Sequence, residues 1–203
     1  LRAVGYEPFI EMVRANMKVA GALRIDHALA LFRAFWVPSG ENGQNGAYVR
    51  YAHEDLMGIL ALESQRAMCL VIGEDLGTVP QFVTETMGHW GILSYKVFLF
   101  EKNGPESYKP PADYPRLSLV TVSTHDLPTL KGYWEGADIQ VRSELGLFPN
   151  PEAADGERAA RVGDRAAILN ALASQGLLPE GYGTDPHAHA QMRPELCQAI
   201  YRY

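Results

Sequence analysis

Three short apolar segments, each followed within three residues by an acid, restrict the possible folds of this chain more than any other feature. The segments have the length and composition of strands buried on both faces, and they are residues 22–25, 69–73 and 118–123. The acids that follow them are Asp26, Glu74 and Asp126. A fourth run, 92–100, is rich in β-forming residues and is predicted as a further strand.

Helical patterns separate these strands. Apolar residues recur at helical spacing over 7–20, 53–67, 80–89 and 156–175, while 41–46 and 103–115 have loop composition. Alternation of apolar strands with helices predicts a parallel α/β sheet. The chain has no glycine-rich nucleotide-binding loop after a strand, and the strand-end acids would converge on one rim of a barrel. We therefore predict an α/β fold that is part of a (β/α)8 TIM-type barrel, with about four parallel strands.

The length sets the predicted organisation. A whole barrel takes about 250 residues, and this chain has 203, begins at Leu1 and closes in the middle of an apparent element. We expect a piece of a longer protein, in which residues 1–203 form a partial catalytic barrel domain. Within it, 1–145 would hold the strand–helix units and 146–203 a helical C-terminal segment.

Charge and cysteine content exclude several classes of function. The net charge is −6, which disfavours nucleic acids and anionic membranes as partners, and no apolar run approaches the length of a membrane helix. Cys69 and Cys197 have neither disulfide-scaffold nor metal-ligand spacing. This pattern is typical of a reducing compartment, so we expect a cytoplasmic protein.

The acids themselves indicate glycoside chemistry. A retaining mechanism needs an ionised carboxylate as nucleophile and a second carboxyl group as proton donor, about 5–5.5 Å apart. Arg24 lies two residues before Asp26, on the same face of a strand, and would keep Asp26 ionised. Glu74 follows an apolar strand without a nearby cation in sequence, which suits the acid/base. Asp126 would contact sugar hydroxyls or stabilise positive charge.

Other interpretations of these residues remain open. The pairs 26–27, 74–75 and 125–126 contain possible ligands for a hydrolytic metal, although neighbours on a strand point to opposite faces. Each acid, taken singly, can also be structural, as a turn residue or in a surface ion pair. Four aromatic residues can serve either as sugar-stacking platforms or as core, and they are Trp36, Tyr48, Tyr51 and Trp134.

The segments around the acids resemble the amylomaltases, the 4-α-glucanotransferases of glycoside hydrolase family 77. They read GALRIDH at 21–27, IGEDLG at 72–77 and STHDLPT at 123–129. Further similar stretches are RAFWVP at 33–38, GAYVRY at 46–51, ES at 63–64, SYKV at 94–97 and GYW at 132–134. The likeness spans about residues 1–175, and three signature segments in this order make it specific.

The resemblance implies a (β/α)8 barrel that transfers α-1,4-glucan segments between maltooligosaccharides with retention and without metal or other cofactor. By match to the family motifs, Asp26 would be the nucleophile, Glu74 the acid/base and Asp126 the transition-state stabiliser. The substrate-contacting residues would be Arg24, His125, Asp75 and Phe100. Because strands of the family barrel lie outside this chain, we expect the isolated polypeptide to be inactive. A related α-glucan hydrolase and a non-catalytic glucan-binding remnant are the alternatives.

Overall fold

The computed structural model describes all 203 residues, which group into two compact units. The first unit comprises residues 1–96 and 115–119, and the second comprises 97–114 and 120–203.

The first unit alternates helices and strands in the predicted manner. Its helices are α1 (Glu7–Met17), α2 (His53–Ala67) and α3 (Gln81–His89). Its strands are β1 (Ala22–Ile25), β2 (Arg33–Trp36), β3 (Ala47–Arg50), β4 (Leu70–Gly73) and β5 (Leu93–Val97). The last residue of β5, Val97, belongs to the second unit. The helices at 7–20, 53–67 and 80–89 and the strands at 22–25 and 69–73 are thus confirmed to within about three residues.

The strands form the expected sheet. β1 pairs with β4 and β4 with β5, both in parallel, and the sheet continues to β8 (Ser118–Thr121) in the order β1–β4–β5–β8. Ile25 and Gly73 are partners in the register, so β1 and β4 end at the same level. The prediction of an α/β fold with four parallel strands is confirmed.

The core of the first unit lies between the helices and the sheet. Its fully buried members come from α1, α2, α3, the strands and the turn after β1: Val13, Met17, Ala28, Phe32, Met57, Leu60, Cys69, Val71, Val83, Met87 and Ile92. Gly73 lets α3 and the turn after β1 pack close to the end of β4, since a Cβ there would lie 2.5 Å from Met87 Cε and 3.1 Å from Ala28 Cβ, and both neighbours would have to shift. The present positions of Met87 and Ala28 therefore use the space left by the missing side chain.

A two-stranded antiparallel hairpin between β1 and α2 was not predicted. β2 and β3 pair with Arg33 opposite Arg50 and Trp36 opposite Ala47, and the predicted loop at 41–46 connects them. Phe35 and Tyr48 meet edge to face across the two strands, with ring centroids 5.2 Å apart. The hairpin thus places aromatic side chains on the connection that follows β1.

The second unit is mainly helical. Its helices are α4 (Leu130–Glu135), α5 (Ala137–Glu144), α6 (Pro151–Ser174) and α7 (Pro194–Arg202). β6 (Lys102–Gly104) and β7 (Ser107–Tyr108) form a small antiparallel hairpin. Its buried core includes Phe98, Tyr108, Leu130, Trp134, Ile139, Ile168, Leu169, Leu172, Leu196 and Ile200.

Several predicted boundaries in this region were wrong. The strand predicted over 92–100 ends at Val97 and gives way to a 3-10 turn, Phe98–Phe100. The predicted loop 103–115 includes the β6–β7 hairpin. The helix predicted over 156–175 begins earlier, at Pro151, because the Asn150 side chain accepts a hydrogen bond from Ala153 N–H and Pro151 occupies the first turn. No helix of the chain combines the length and hydropathy that a membrane span requires.

Candidate active site

Asp26 lies just beyond the end of β1 and is paired with Arg24, as their spacing predicts. The Arg24 Nη1 to Asp26 Oδ1 distance is 2.7 Å. The Asp26 side chain is 76% exposed, whereas that of Arg24 is 31% exposed and lies over the Tyr95 ring at 5.0 Å from its centroid. The guanidinium is therefore held by the ring as well as by the carboxylate, and it orients an otherwise open Asp26.

Glu74 follows β4 and has both carboxylate oxygens occupied by backbone donors. His27 N–H donates to Oε2 at 2.9 Å, and Leu76 N–H donates to Oε1 at 2.7 Å. His27 adopts a left-handed conformation, with φ of 47°, that is uncommon for a residue other than glycine. Such backbone conformations are found at functional sites, where the surrounding bonds maintain them.

The parallel register brings Asp26 and Glu74 to the same end of neighbouring strands. Each is the residue that follows the paired Ile25 and Gly73, and neighbouring strands lie about 4.8 Å apart. Glu74 N–H donates to Ile25 O at 2.9 Å, and Ala28 N–H donates to Glu74 O at 2.9 Å, so the backbones remain bonded beyond the strands. This end of the first unit can present two carboxylates to one ligand.

Asp75 has a different environment from Glu74, since its side chain is fully buried. Its carboxylate accepts hydrogen bonds from Ser94 Oγ at 2.5 Å and from Tyr95 N–H at 2.9 Å, and Lys96 Nζ lies 3.4 Å away. These donors all belong to β5. In this structure Asp75 ties the end of β4 to β5, and its predicted role as a substrate contact stays a prediction.

His125, Asp126 and Phe100 belong to the second unit. His125 Nε2 lies 3.3 Å from Asp126 Oδ2, and both side chains are at least three-quarters exposed. Asp126 N–H donates to Thr124 Oγ1 at 3.2 Å, which shapes the turn after β8. His125 lines an open cleft of about 530 Å³, and Phe100 is exposed at the end of its 3-10 turn. That Asp126 joins Asp26 and Glu74 around one sugar linkage stays a prediction.

The aromatic candidates divide into two groups. Trp134 is fully buried and donates from its indole nitrogen to the His189 carbonyl, so it is a core residue of the second unit. Trp36 and Tyr48 are exposed on the β2–β3 hairpin, and the Trp36 indole N–H donates to Tyr51 Oη at 2.7 Å. No group of three or more His, Cys, Asp or Glu side chains is arranged to hold a metal ion.

Sequence reasoning did not identify two groups that shape this site. One is the His27 backbone N–H, which carries no sequence signal because nearly every residue has the same donor. The other is the β5 segment Ser94–Lys96 around Asp75, whose only signal was its similarity to the family stretch at 94–97. Within the first unit, the exposed carboxylate of Asp26, the guanidinium of Arg24 and the neighbouring Glu74 are groups suited to glycoside chemistry.

Comparison with known proteins agrees with these observations. The family profile described as 4-alpha-glucanotransferase, of glycoside hydrolase family 77, matches residues 1–203. A 4-alpha-glucanotransferase of Haemophilus influenzae is 42% identical over 203 residues, which is the whole of this chain and 29% of the relative. One of Mycobacterium tuberculosis is 40% identical over 202 residues, or 98% of this chain and 27% of the relative. The chain thus spans less than a third of the length of these relatives.

Solved structures show the same relationship. The amylomaltase of Corynebacterium glutamicum superposes with a TM-score of 0.84 and 35% identity, covering 97% of this chain and 28% of that one. The amylomaltase of Streptococcus agalactiae in complex with acarbose superposes with a TM-score of 0.55, covering 98% of this chain and 43% of that one; at 16% identity it supports the fold alone. From the profile match over its entire length, the chain belongs to glycoside hydrolase family 77, the 4-α-glucanotransferases.

Proposed function

We propose that this chain supplies the catalytic carboxylates of a 4-α-glucanotransferase acting on α-1,4-glucans and maltooligosaccharides. The observation that carries the proposal is the shared strand end of Asp26 and Glu74, one paired with Arg24 and the other bonded to the neighbouring backbone. In the proposed reaction Asp26 attacks the anomeric carbon while Glu74 protonates the departing glycosidic oxygen. A covalent glycosyl ester on Asp26 results, and the leaving sugar departs with a free hydroxyl.

The second half of the reaction decides between transfer and hydrolysis. In transfer, the 4-OH of another sugar attacks the ester carbon while Glu74 takes its proton, which restores both carboxyl groups and retains the configuration. Asp126 would stabilise the oxocarbenium-like charge in both steps, with His125 beside it. Because both catalytic acids and Arg24 are protein groups, the proposed cycle needs no cofactor.

The remaining site residues are proposed to contact the sugar substrate. Arg24 and His125 carry donors toward exposed surface, and Phe100 offers an exposed ring against which a sugar face can stack. Asp75, proposed on the acceptor side, would act through Lys96 and β5, because its own oxygens are buried. Two free cysteines support a cytoplasmic location, which fractionation with an antibody to the chain would test.

A segment exchange tests the proposed activity. The 203 residues replace the aligned 203-residue segment of the Haemophilus influenzae relative, and the chimera is incubated with maltotriose. Glucose together with oligosaccharides longer than maltotriose would establish transfer, whereas glucose and maltose alone would establish hydrolysis. The Asp26→Asn and Glu74→Gln chimeras should each lose at least 10³-fold in rate, on the order of what removing a catalytic acid or nucleophile costs.

Two controls distinguish a chimera that does not fold from a folded chimera that lacks the proposed activity. Glu106→Gln alters an exposed acid of the second unit and should leave the rate unchanged. Circular dichroism establishes that each chimera is folded. A folded chimera that binds maltotriose with equal affinity before and after Asp26→Ala, and turns nothing over, would identify a non-catalytic glucan-binding remnant instead.

A further inference from the structure

Helix α6 carries three arginines on one face, away from the predicted active-site residues. Arg158, Arg161 and Arg165 are spaced by three and four residues, so their side chains lie along the same stripe of the helix. All three line a cleft of about 400 Å³ within the second unit, bounded by α5 and the end of α4. A cluster of three cations is notable in a chain whose net charge is −6.

Two of these arginines are neutralised within the protein. Arg161 makes two hydrogen bonds of 2.9 Å to the Asp138 carboxylate and also donates to the Tyr133 carbonyl. Arg158 Nη1 lies 2.7 Å from Asp155 Oδ1. Burial acts against ionisation of Asp138, but the bonds and charge of Arg161 outweigh it and hold the pKa of Asp138 below its ordinary value.

Arg165 has no such partner. Its Nε is buried without a hydrogen-bond partner, and no carboxylate lies within ion-pair distance of its guanidinium. Burial, and after it the neighbouring charge of Arg161, lowers the pKa of Arg165. Glu135, the acidic residue of the cleft lining, instead accepts a hydrogen bond from Met192 N–H at 3.1 Å and faces Lys131 at 4.0 Å. The positive charge at Arg165 is therefore uncompensated.

We propose that this cleft binds a phosphate group, free or as the ester of a small molecule, with Arg165 as its principal ligand. The planar guanidinium presents paired donors that match the oxygens of phosphate. Arg161 is neutralised by Asp138, so the uncompensated charge is that of Arg165, and it attracts a dianion more strongly than a singly charged carboxylate because the Coulomb energy grows with the charge of the ligand. Ile139 and Val162 provide apolar walls, and the volume exceeds that of a bare phosphate ion, which leaves room for an ester substituent.

Isothermal titration calorimetry of the 203-residue chain with sodium phosphate tests this proposal, which does not depend on glucan transfer. One phosphate should bind per chain, and Arg165→Gln should weaken that binding at least tenfold. Arg202→Gln removes an exposed arginine of α7 and should bind like the parent. Absence of saturable binding, or equal affinity in Arg165→Gln, would overturn the assignment.

Further titrants define the ligand chemistry. Acetate should bind at least tenfold more weakly than phosphate, and equal binding of acetate would also overturn the proposal. Glucose 6-phosphate that binds more tightly than inorganic phosphate, while glucose gives no heat, would identify a phosphate ester as the occupant; equal affinities would identify the free ion. Arg165→Lys keeps the charge but not the paired donors, so it should bind with intermediate affinity and provides a second variant should Arg165→Gln not fold.

Discussion

The carboxylate of Glu74 is bonded to the residue that follows Asp26, since His27 N–H donates to Glu74 Oε2 at 2.9 Å. The left-handed backbone of His27 directs this N–H toward β4. The bond fixes the two predicted catalytic acids relative to each other within the first unit.

This relationship predicts that the two acids contribute differently to stability. Glu74→Gln should lower the free energy of unfolding by about 1–2 kcal/mol, because an amide can accept only one of the two backbone hydrogen bonds and its NH2 group opposes the other donor. Asp26→Asn should change it by less than about 0.5 kcal/mol, since that side chain is exposed. Urea denaturation followed by circular dichroism measures both.

Asp126→Asn is the matched control for this comparison, as it alters a second exposed acid and should behave like Asp26→Asn. Equal destabilisation by all three substitutions would contradict the hydrogen-bonding pattern of Glu74. A neutral effect of Glu74→Gln would do the same.

Asp75 is predicted to be the most important acid of this region for folding. Asp75→Ala leaves Lys96 and two further donors of β5 without their partner, and should cost about 3–5 kcal/mol. Asp75→Asn preserves the size and part of the bonding and should cost less. Denaturation midpoints of the two variants measure the difference, and a loss below about 1 kcal/mol for Asp75→Ala would show that the buried cluster is unimportant.

We expect the free energy of unfolding to fall at acid pH because of Glu63. Its buried carboxylate accepts hydrogen bonds from Arg14 at 2.7 and 3.0 Å and from Arg66 at 2.7 Å, and the Arg14 bonds above all lower its pKa. Because the pKa of Glu63 is lower in the folded than in the unfolded chain, ionised Glu63 stabilises the folded chain. Its contribution to the free energy of unfolding is complete above the pKa of the unfolded chain, about 4.3. That contribution is lost as the pH falls through the folded value.

The measurement compares urea midpoints of the parent and Glu63→Gln between pH 6 and pH 3. The parent should be more stable at pH 6, and its advantage should shrink toward pH 3. Glu11→Gln, which alters an exposed glutamate of α1, should show no such convergence. A difference that is constant with pH would mean that the pKa of Glu63 is the same in the folded and the unfolded chain.

The isolated 203-residue chain should not transfer glucan. Four neighbouring strands are half of the eight that close a barrel, and a sheet with open edges cannot enclose a substrate. Incubation of the purified chain with maltotriose, followed by chromatography of the products, should show no change, while the segment-exchange chimera shows turnover. Products from the isolated chain would refute this expectation.

The predictable parts of the fold are those with a short, mainly apolar run between helical patterns. The runs at 22–25 and 69–73 were predicted well for this reason, although β1 has no fully buried residue and Leu70 of β4 is exposed. The β2–β3 hairpin was missed because its four-residue strands are mostly exposed and a ten-residue connection replaces a tight-turn signal. Helix α7 lies in the C-terminal segment predicted to be helical, but its bounds were not predicted, because it is short and follows a segment rich in Gly, Pro and His.

In the candidate site, contacts between residues close in sequence were predictable, whereas contacts with distant residues were not. The pairing of Arg24 with Asp26 was predictable from a spacing of two along a strand. The bonds of Glu74 come from backbone donors, and those of Asp75 from residues about twenty positions away, so neither leaves a pattern that periodicity can reveal.

The three tryptophans occupy three different settings, which gives the chain built-in fluorescent reporters. Trp36 is open to solvent on the hairpin that follows β1, so a soluble quencher should reach it first and a stacked sugar should shield it. Trp134 is enclosed in the other compact unit, and its emission should shift to longer wavelength only when that unit melts. Replacing Trp90 with phenylalanine would leave one optical signal for each unit.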